Sequence, residues 1–181
     1  MFLAVSGPQC SGKTTLLNAI KTVPDMRSEA EYVREASRKG FPVNESASNQ
    51  DIRQIYLNSN DIVTLGNNHD CIYSHDTHIV QDRYLADKLF YSTYLFRKGK
   101  LSRWVLDQAK GLFDRYIDQY DAIFYTNPDD VELVADGFRS TDSEFRREIT
   151  KIFEDEILSK QLSRVFIAKG DKEKRVATVM R

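Results

Sequence analysis

The segment Gly7-Pro8-Gln9-Cys10-Ser11-Gly12-Lys13-Thr14 fits the pattern G-x-x-x-x-G-K-[ST], and no other stretch constrains the fold as strongly. Such a loop works only between a strand and a helix. Upstream, Phe2-Leu3-Ala4-Val5 is a short apolar run suited to a buried parallel strand. Downstream, Thr14–Ile20 reads as a helix with Leu16, Leu17 and Ile20 on one side. The glycines let the backbone curl so that its N–H groups face an anion at the helix start. In this pattern Lys13 reaches the β- and γ-phosphates of a nucleotide, and the Thr14 hydroxyl ligates Mg²⁺. At ordinary residue usage, about one chain in 150 of this length shows the string by accident. The flanking strand and helix make an accident rarer still. The expected ligands are a nucleoside triphosphate and Mg²⁺, with Gly7, Gln9, Cys10, Ser11, Gly12, Lys13, Thr14 and Thr15 as candidate nucleotide contacts.

At 181 residues the chain is long enough for a full core, and a single domain over residues 1–181 is expected. Hydrophobic residues make up 41% and charged residues 29%, an ordinary globular balance. A net charge of −1 gives no global basic field for nucleic acid. No apolar stretch approaches the ~20 residues that span a bilayer. Met1–Val5 lacks the basic start of a secretory signal. Two cysteines, Cys10 and Cys71, suggest no disulfide framework. A cytoplasmic location fits these features.

Apolar runs recur between longer helical segments. Strands are predicted at Phe2–Ser6, His78–Gln81, Asp121–Thr126 and Arg164–Ala168, with Ala30–Arg34 as a short second strand or a loop end. Helices are predicted at 13–22, 48–68, 84–97, 101–119, 142–160 and 171–180. This alternation implies an α/β fold with a parallel sheet covered on both faces. Ligands then bind at the carboxyl ends of the strands. That rule directs attention to Glu35, Asp82, Arg83, Asn127 and Gly170.

Phosphoryl transfer needs a phosphate cradle, Mg²⁺, a group that orients or deprotonates the acceptor, and cations on the transferring group. Asp82 is placed to hold Mg²⁺ or contact the acceptor hydroxyl, and Arg83 to contact a phosphate. Their structural alternative is a helix start with a solvated arginine. Glu35 is a candidate base, or half of a surface pair with Arg38. Arg139, in the turn Asp136–Asp142, is a candidate lid arginine within a lid of about 136–147. Arg146 and Arg147 follow on a helix that Thr141 or Asp142 would cap. Gly170 and the loop after it can pack against the adenine ring. His69, Cys71 and His75 lack the spacing of a zinc site and read as a polar loop. Phe90, Tyr91, Tyr94 and Phe96 read as core or pocket wall.

The segments GPQCSGKTTL, YVREASR, QDRY and ADGFRSTD come in the order of the NadR-like (AAA_28) P-loop kinases. The chain resembles that family over about residues 1–175, and with it ribosylnicotinamide, deoxynucleoside and thymidylate kinases. The resemblance implies a P-loop NTPase fold: a five-stranded parallel sheet with helices on both sides, a lid, ATP as donor and Mg²⁺. It places Lys13 and Thr14 as phosphate and metal residues, Asp82 and Arg83 as a carboxylate–arginine pair, Arg139 as lid arginine and Glu35 as base. Residues 40–75 resemble nothing specific.

The resulting expectation is a kinase that transfers the γ-phosphate to a hydroxyl or phosphate of a nucleoside or nucleotide, acting alone or as a homodimer. Two alternatives stand beside it: a kinase acting on a modified base or an end in DNA, through a groove of Lys98, Lys100, Arg103 and Lys110, and a non-kinase ATPase switch.

Overall fold

The computed structural model describes residues 1–29, 36–42, 46–52, 78–83, 85–131, 142–159 and 164–179. Five strands form one sheet in the order β2-β3-β1-β4-β5. They are β1 (Phe2–Ser6), β2 (Met26–Glu29), β3 (His78–Asp82), β4 (Ala122–Thr126) and β5 (Val165–Ala168). Every pairing is parallel. The helices are α1 (Lys13–Ile20), α2 (Leu85–Arg97), α3 (Arg103–Tyr116), α4 (Ser143–Ser159) and α5 (Lys172–Val179). Short 3₁₀ turns at Ile117–Gln119 and Pro128–Asp130 flank β4.

β1 is buried along its whole length because both sheet faces are covered. Its side chains alternate between two cores. Leu3 and Val5 join Leu16, Leu17 and Ile20 of α1, with Phe124 and Ala168. Phe2 and Ala4 join the larger core of α2, α3 and α4, including Phe90, Leu95, Phe113 and Phe153. The Tyr120 ring stacks on Phe2 at 4.6 Å, and its hydroxyl donates to Gln81 Oε1 at 2.7 Å. α3 buries Val105, Ala109 and Phe113 at helical spacing and turns Arg103, Asp107 and Lys110 outward. Phe90 and Tyr94 are core residues, while Tyr91 and Phe96 are half-buried against it.

Four of the predicted strands lie where expected, within one residue at each end. The second does not. β2 is Met26–Glu29, just before the predicted Ala30–Arg34, which falls outside the described residues. β2 is an edge strand paired only with β3, so its polar sequence MRSE carries no apolar run. The expected helix from residue 48 begins with a reciprocal cap, in which the Ser48 N–H donates to Asp51 Oδ2 at 2.8 Å and the Asp51 N–H to Ser48 Oγ at 3.4 Å. Its remainder and the polar loop of His69, Cys71 and His75 lie outside the described residues. Among the described residues no helix is long and apolar enough to cross a membrane.

Candidate active site

The phosphate loop runs from Ser6 at the end of β1 to Lys13 at the start of α1. Gly7 has φ 145, and a Cβ there would lie 2.5 Å from Thr126 Oγ1 and 2.6 Å from the Thr126 carbonyl. Gly12 caps α1 in the left-handed region, φ 85, where glycine is favoured. Cys10 is also left-handed, φ 53. The Ser11 and Thr126 hydroxyls meet at 2.6 Å, and Thr126 Oγ1 donates to the Ser6 carbonyl at 3.1 Å, which pins the loop to β4. Lys13 is only 3% exposed. Its Nζ curls into the loop, donating to the Gly7 carbonyl at 2.7 Å and to the Pro8 carbonyl. The first turn of α1 holds no acidic side chain, so its N-terminus keeps its positive character. Thr14 and Thr15 are exposed at that end.

Two arginines hold the loop backbone from outside. Arg175 of α5, 5% exposed, donates to the carbonyls of Ser11 at 2.5 Å, Gly170 at 2.8 Å and Asn127 at 3.0 Å. Arg146 of α4 donates to the carbonyls of Cys10 at 3.4 Å, Val131 at 2.7 Å and Pro128. Arg147 is exposed, and Asp142 caps α4 by accepting from the Glu144 N–H at 2.8 Å and the Phe145 N–H at 3.2 Å.

On the β3 side, Asp82 pairs in register with Val5, at the loop's entrance. Arg83 follows in the left-handed region, φ 77, its N–H on the Val5 carbonyl at 3.0 Å. Its guanidinium bonds Asp87 at 3.2 Å and the Tyr91 hydroxyl at 3.4 Å, and lies 5.3 Å from the Tyr91 ring centre. Asp87 also accepts from Ser6 Oγ at 2.5 Å. The solvated-arginine alternative therefore fails for Arg83, whose side chain is 13% exposed.

On the opposite flank a pocket of about 190 Å³ opens between α1 and the loop after β5, lined by Gly12, Thr15, Leu16, Val131, Gly170 and Val176. It is smaller than the roughly 300–1,000 Å³ of a site for a drug-sized ligand, the scale of a single ring system. Gly170 has φ 86, which lets the chain turn from β5 into α5.

Behind the loop, burial pushes the Tyr125 hydroxyl well above the usual phenol range, helped by the nearby Glu154, Asp129 and Asp87 carboxylates. Burial also raises Glu154, with Asp129 and Asp155 adding to it and Lys169 opposing.

The fold thus brings Gly7, Gln9, Cys10, Ser11, Gly12, Lys13, Thr14, Thr15, Asp82 and Arg83 to one edge of the sheet, with Gly170 on its flank. Glu35 and Arg139, with most of the expected lid, lie outside the described residues. Arg38 is exposed. Lys98 and Arg103, expected in a basic groove, are in ion pairs with Glu148 at 2.7 Å and Asp107 at 2.8 Å. Sequence reasoning missed Arg175, Tyr91 as a loop contact, and Asp87. Arg175 ends the segment Gly170–Arg175, whose sequence reads as a loop against the adenine ring or a simple strand-to-helix turn.

The residues present fit a triphosphate. The loop has room for backbone only at Gly7, a buried cation at Lys13, and a helix N-terminus free of acidic side chains. They also fit Mg²⁺, which needs few protein ligands beside phosphates and water. Among the described residues no group of three or more His, Cys, Asp or Glu forms a metal cluster, and the two residues expected from sequence to hold the ion, Thr14 and Asp82, stand at this edge of the sheet.

A glycine loop of this kind, at the carboxyl edge of a parallel sheet ordered β2-β3-β1-β4-β5, defines a P-loop NTPase with a kinase-like fold. The chain belongs to the AAA_28 family, described as an AAA domain, whose pattern matches residues 2–175. Among solved structures it is similar to a NadR protein in complex with NR, at 18% identity and a TM-score of 0.65, covering 98% of this chain and 50% of that one. A NadR protein in complex with NAD and AMP-PNP is similar at 16% identity and a TM-score of 0.67, over 98% of this chain and 47% of that one. The chain thus spans about half the length of those NadR chains. A deoxyadenosine kinase from M. mycoides, with products dCMP and a flexible dCDP bound, is similar at 14% identity and a TM-score of 0.69, over 99% of this chain and 97% of that one. No curated protein sequence matches.

Proposed function

We propose that the protein is a kinase that transfers the γ-phosphate of ATP to a hydroxyl or phosphate of a nucleoside or nucleotide. The observation that carries this is the two-sided loop. A ring-sized pocket flanks it on the β5 side and the Arg83–Asp87 pair on the β3 side. A donor base and an acceptor need such separate places around one triphosphate. The likeness to a deoxyadenosine kinase of nearly equal length supports the reading.

In this reading the loop N–H groups and Lys13 bind the triphosphate, with Lys13 leaving the Gly7 and Pro8 carbonyls for phosphate oxygens. Gly170, Thr15 and Val131 face the base. Mg²⁺, when bound at Thr14 and Asp82, offsets charge on the phosphates. A hydroxyl acceptor gives its proton to Glu35 or Asp82 as its oxygen forms the new bond to γ-phosphorus, and the bond to the bridging oxygen of ADP breaks. A phosphate acceptor is already ionised and takes Arg83 as its counter-charge. Arg83 and Arg139 steady the charge on the group in transit.

The test is product analysis with γ-labelled ATP and a panel of nucleosides, monophosphates and DNA ends. Label is expected on one small acceptor class. Label found only as free phosphate with every acceptor would overturn the proposal.

A further inference from the structure

A chain of hydrogen bonds begins at Asp87 and ends inside the phosphate loop. Asp87 Oδ2 accepts from Arg83 Nη1 at 3.2 Å, Arg83 Nη1 reaches the Tyr91 hydroxyl at 3.4 Å, and Tyr91 donates to Gln9 Oε1 at 3.2 Å. Its polarity is set by chemistry. A guanidinium has only donors, so the Tyr91 oxygen accepts from Arg83, and the Tyr91 hydroxyl in turn donates to the Gln9 carbonyl oxygen. That leaves Gln9 Nε2 at the end of the chain. Gln9 is 1% exposed, and Nε2 has no hydrogen-bond partner. Such an orphan donor is costly, and folds keep one where something else satisfies it. The preceding residue is Pro8, which has no backbone N–H, so the loop is one donor short beside Gln9.

We infer that Gln9 is a positioning residue that links the phosphate loop to Arg83. An oxygen of the γ-phosphoryl group takes the Nε2–H, and the same amide, through the Tyr91 hydroxyl, holds the guanidinium. The inference rests on the kinase reading. It adds that occupancy of the loop by a triphosphate, but not by a diphosphate, steadies the arginine on the acceptor side.

The test uses the full chain with Gln9→Met, which keeps length without polar atoms, and Tyr91→Phe, which keeps the ring under Arg83. Calorimetry measures the affinity for AMP-PNP and for ADP, and kinetics measure kcat and KM for the acceptor found in the panel. Gln9→Met is expected to weaken AMP-PNP binding about tenfold, the size of one hydrogen bond to a charged group, and to leave ADP unchanged. Tyr91→Phe is expected to leave both nucleotide affinities nearly unchanged. Each variant should lower kcat about tenfold, and the double variant no further than the weaker single one, because both cut one chain. Equal AMP-PNP affinity in Gln9→Met and wild type would overturn the inference, as would losses in kcat that simply multiply. If Gln9→Met does not fold, Gln9→Leu, which also lacks polar atoms and adds no charge, carries the same comparison. A wild-type protein that transfers no phosphate refutes the kinase reading, while the AMP-PNP and ADP affinities still decide the Nε2 contact.

Discussion

Arg175 Nη1 donates to the Ser11 carbonyl at 2.5 Å, across 164 positions of sequence. The helix that closes the described chain therefore holds the loop that opens it. The same guanidinium takes the carbonyls after β4 and β5, Asn127 and Gly170. Its planar fork suits this task, because three carbonyls in different directions meet donors fixed in one plane. Arg175 also lines the ring-sized pocket, so loop shape and pocket shape depend on one side chain.

Arg175→Met is expected to lower stability by about 3 kcal/mol, since buried carbonyls lose charge-assisted donors. For a chain of this size that is a fall in Tm of about 6–12 °C. Arg175→Lys should recover little, because an ammonium on a flexible stem cannot reproduce the fork. Thermal melts of the two variants check both statements.

Lys13→Ala should reduce kcat for phosphoryl transfer by about 10²–10³ or more, the loss typical of one preorganised electrostatic donor. Because Lys13 Nζ is bonded to the Gly7 and Pro8 carbonyls, the variant should also melt slightly lower. Steady-state kinetics with labelled ATP separate the two effects. Undiminished transfer would refute the assignment of Lys13.

Two glycines should respond in opposite senses. Gly12→Ala places a Cβ 2.8 Å from Arg175 Nη1 at φ 85, and is expected to cost about 1–3 kcal/mol and weaken ADP binding. Gly111→Ala, within α3 and with nothing near its Cβ, should stabilise by about 0.5–1 kcal/mol and leave activity unchanged. Denaturant titrations read both.

Tyr120→Phe removes the donor to Gln81 Oε1 but keeps the stack on Phe2. Stability should fall by about 1 kcal/mol with kcat unaltered, since neither residue belongs to the loop. A changed kcat would mean that β3 transmits more to Asp82 than its backbone pairing suggests.

Glu154 supplies a pH test. Its pKa is raised in the fold above the ordinary 4.5, mainly by burial. The native state therefore binds this proton more tightly than the unfolded chain does, and the ionised form penalises folding. The penalty is absent below the ordinary value, grows as pH rises through the raised one, and is complete at neutral pH. Glu154→Gln should raise Tm at pH 7, with the gain closing by about pH 4. Paired melts across that range would show no convergence if burial of Glu154 is not the cause.

The apolar strands were legible because burial on both faces writes itself as a continuous run, as in Phe2-Leu3-Ala4-Val5. The donor loop was legible because its glycines and lysine are needed close together. β2 was misplaced because an edge strand paired on one side needs no apolar run, and MRSE has none. Arg175 escaped notice for a different reason. Its partners are backbone carbonyls, which carry no residue identity, so nothing in KEKR distinguishes a buried fork from a solvated face. Tyr91 read as core wall from helical spacing, and its hydroxyl's reach to Gln9 depends on how α2 packs under the loop.

β1 lies in the middle of the sheet, with β3 and β2 to one side and β4 and β5 to the other. On the proposed reading the two halves have separate duties, since the base pocket belongs to the β5 flank and the acceptor arginine to the β3 flank. The protein is thereby divided like a tool with a fixed handle and a replaceable bit. New acceptor preferences are open to it by rewriting the segments around β2 and β3, while Arg175 and its carbonyls keep the handle intact.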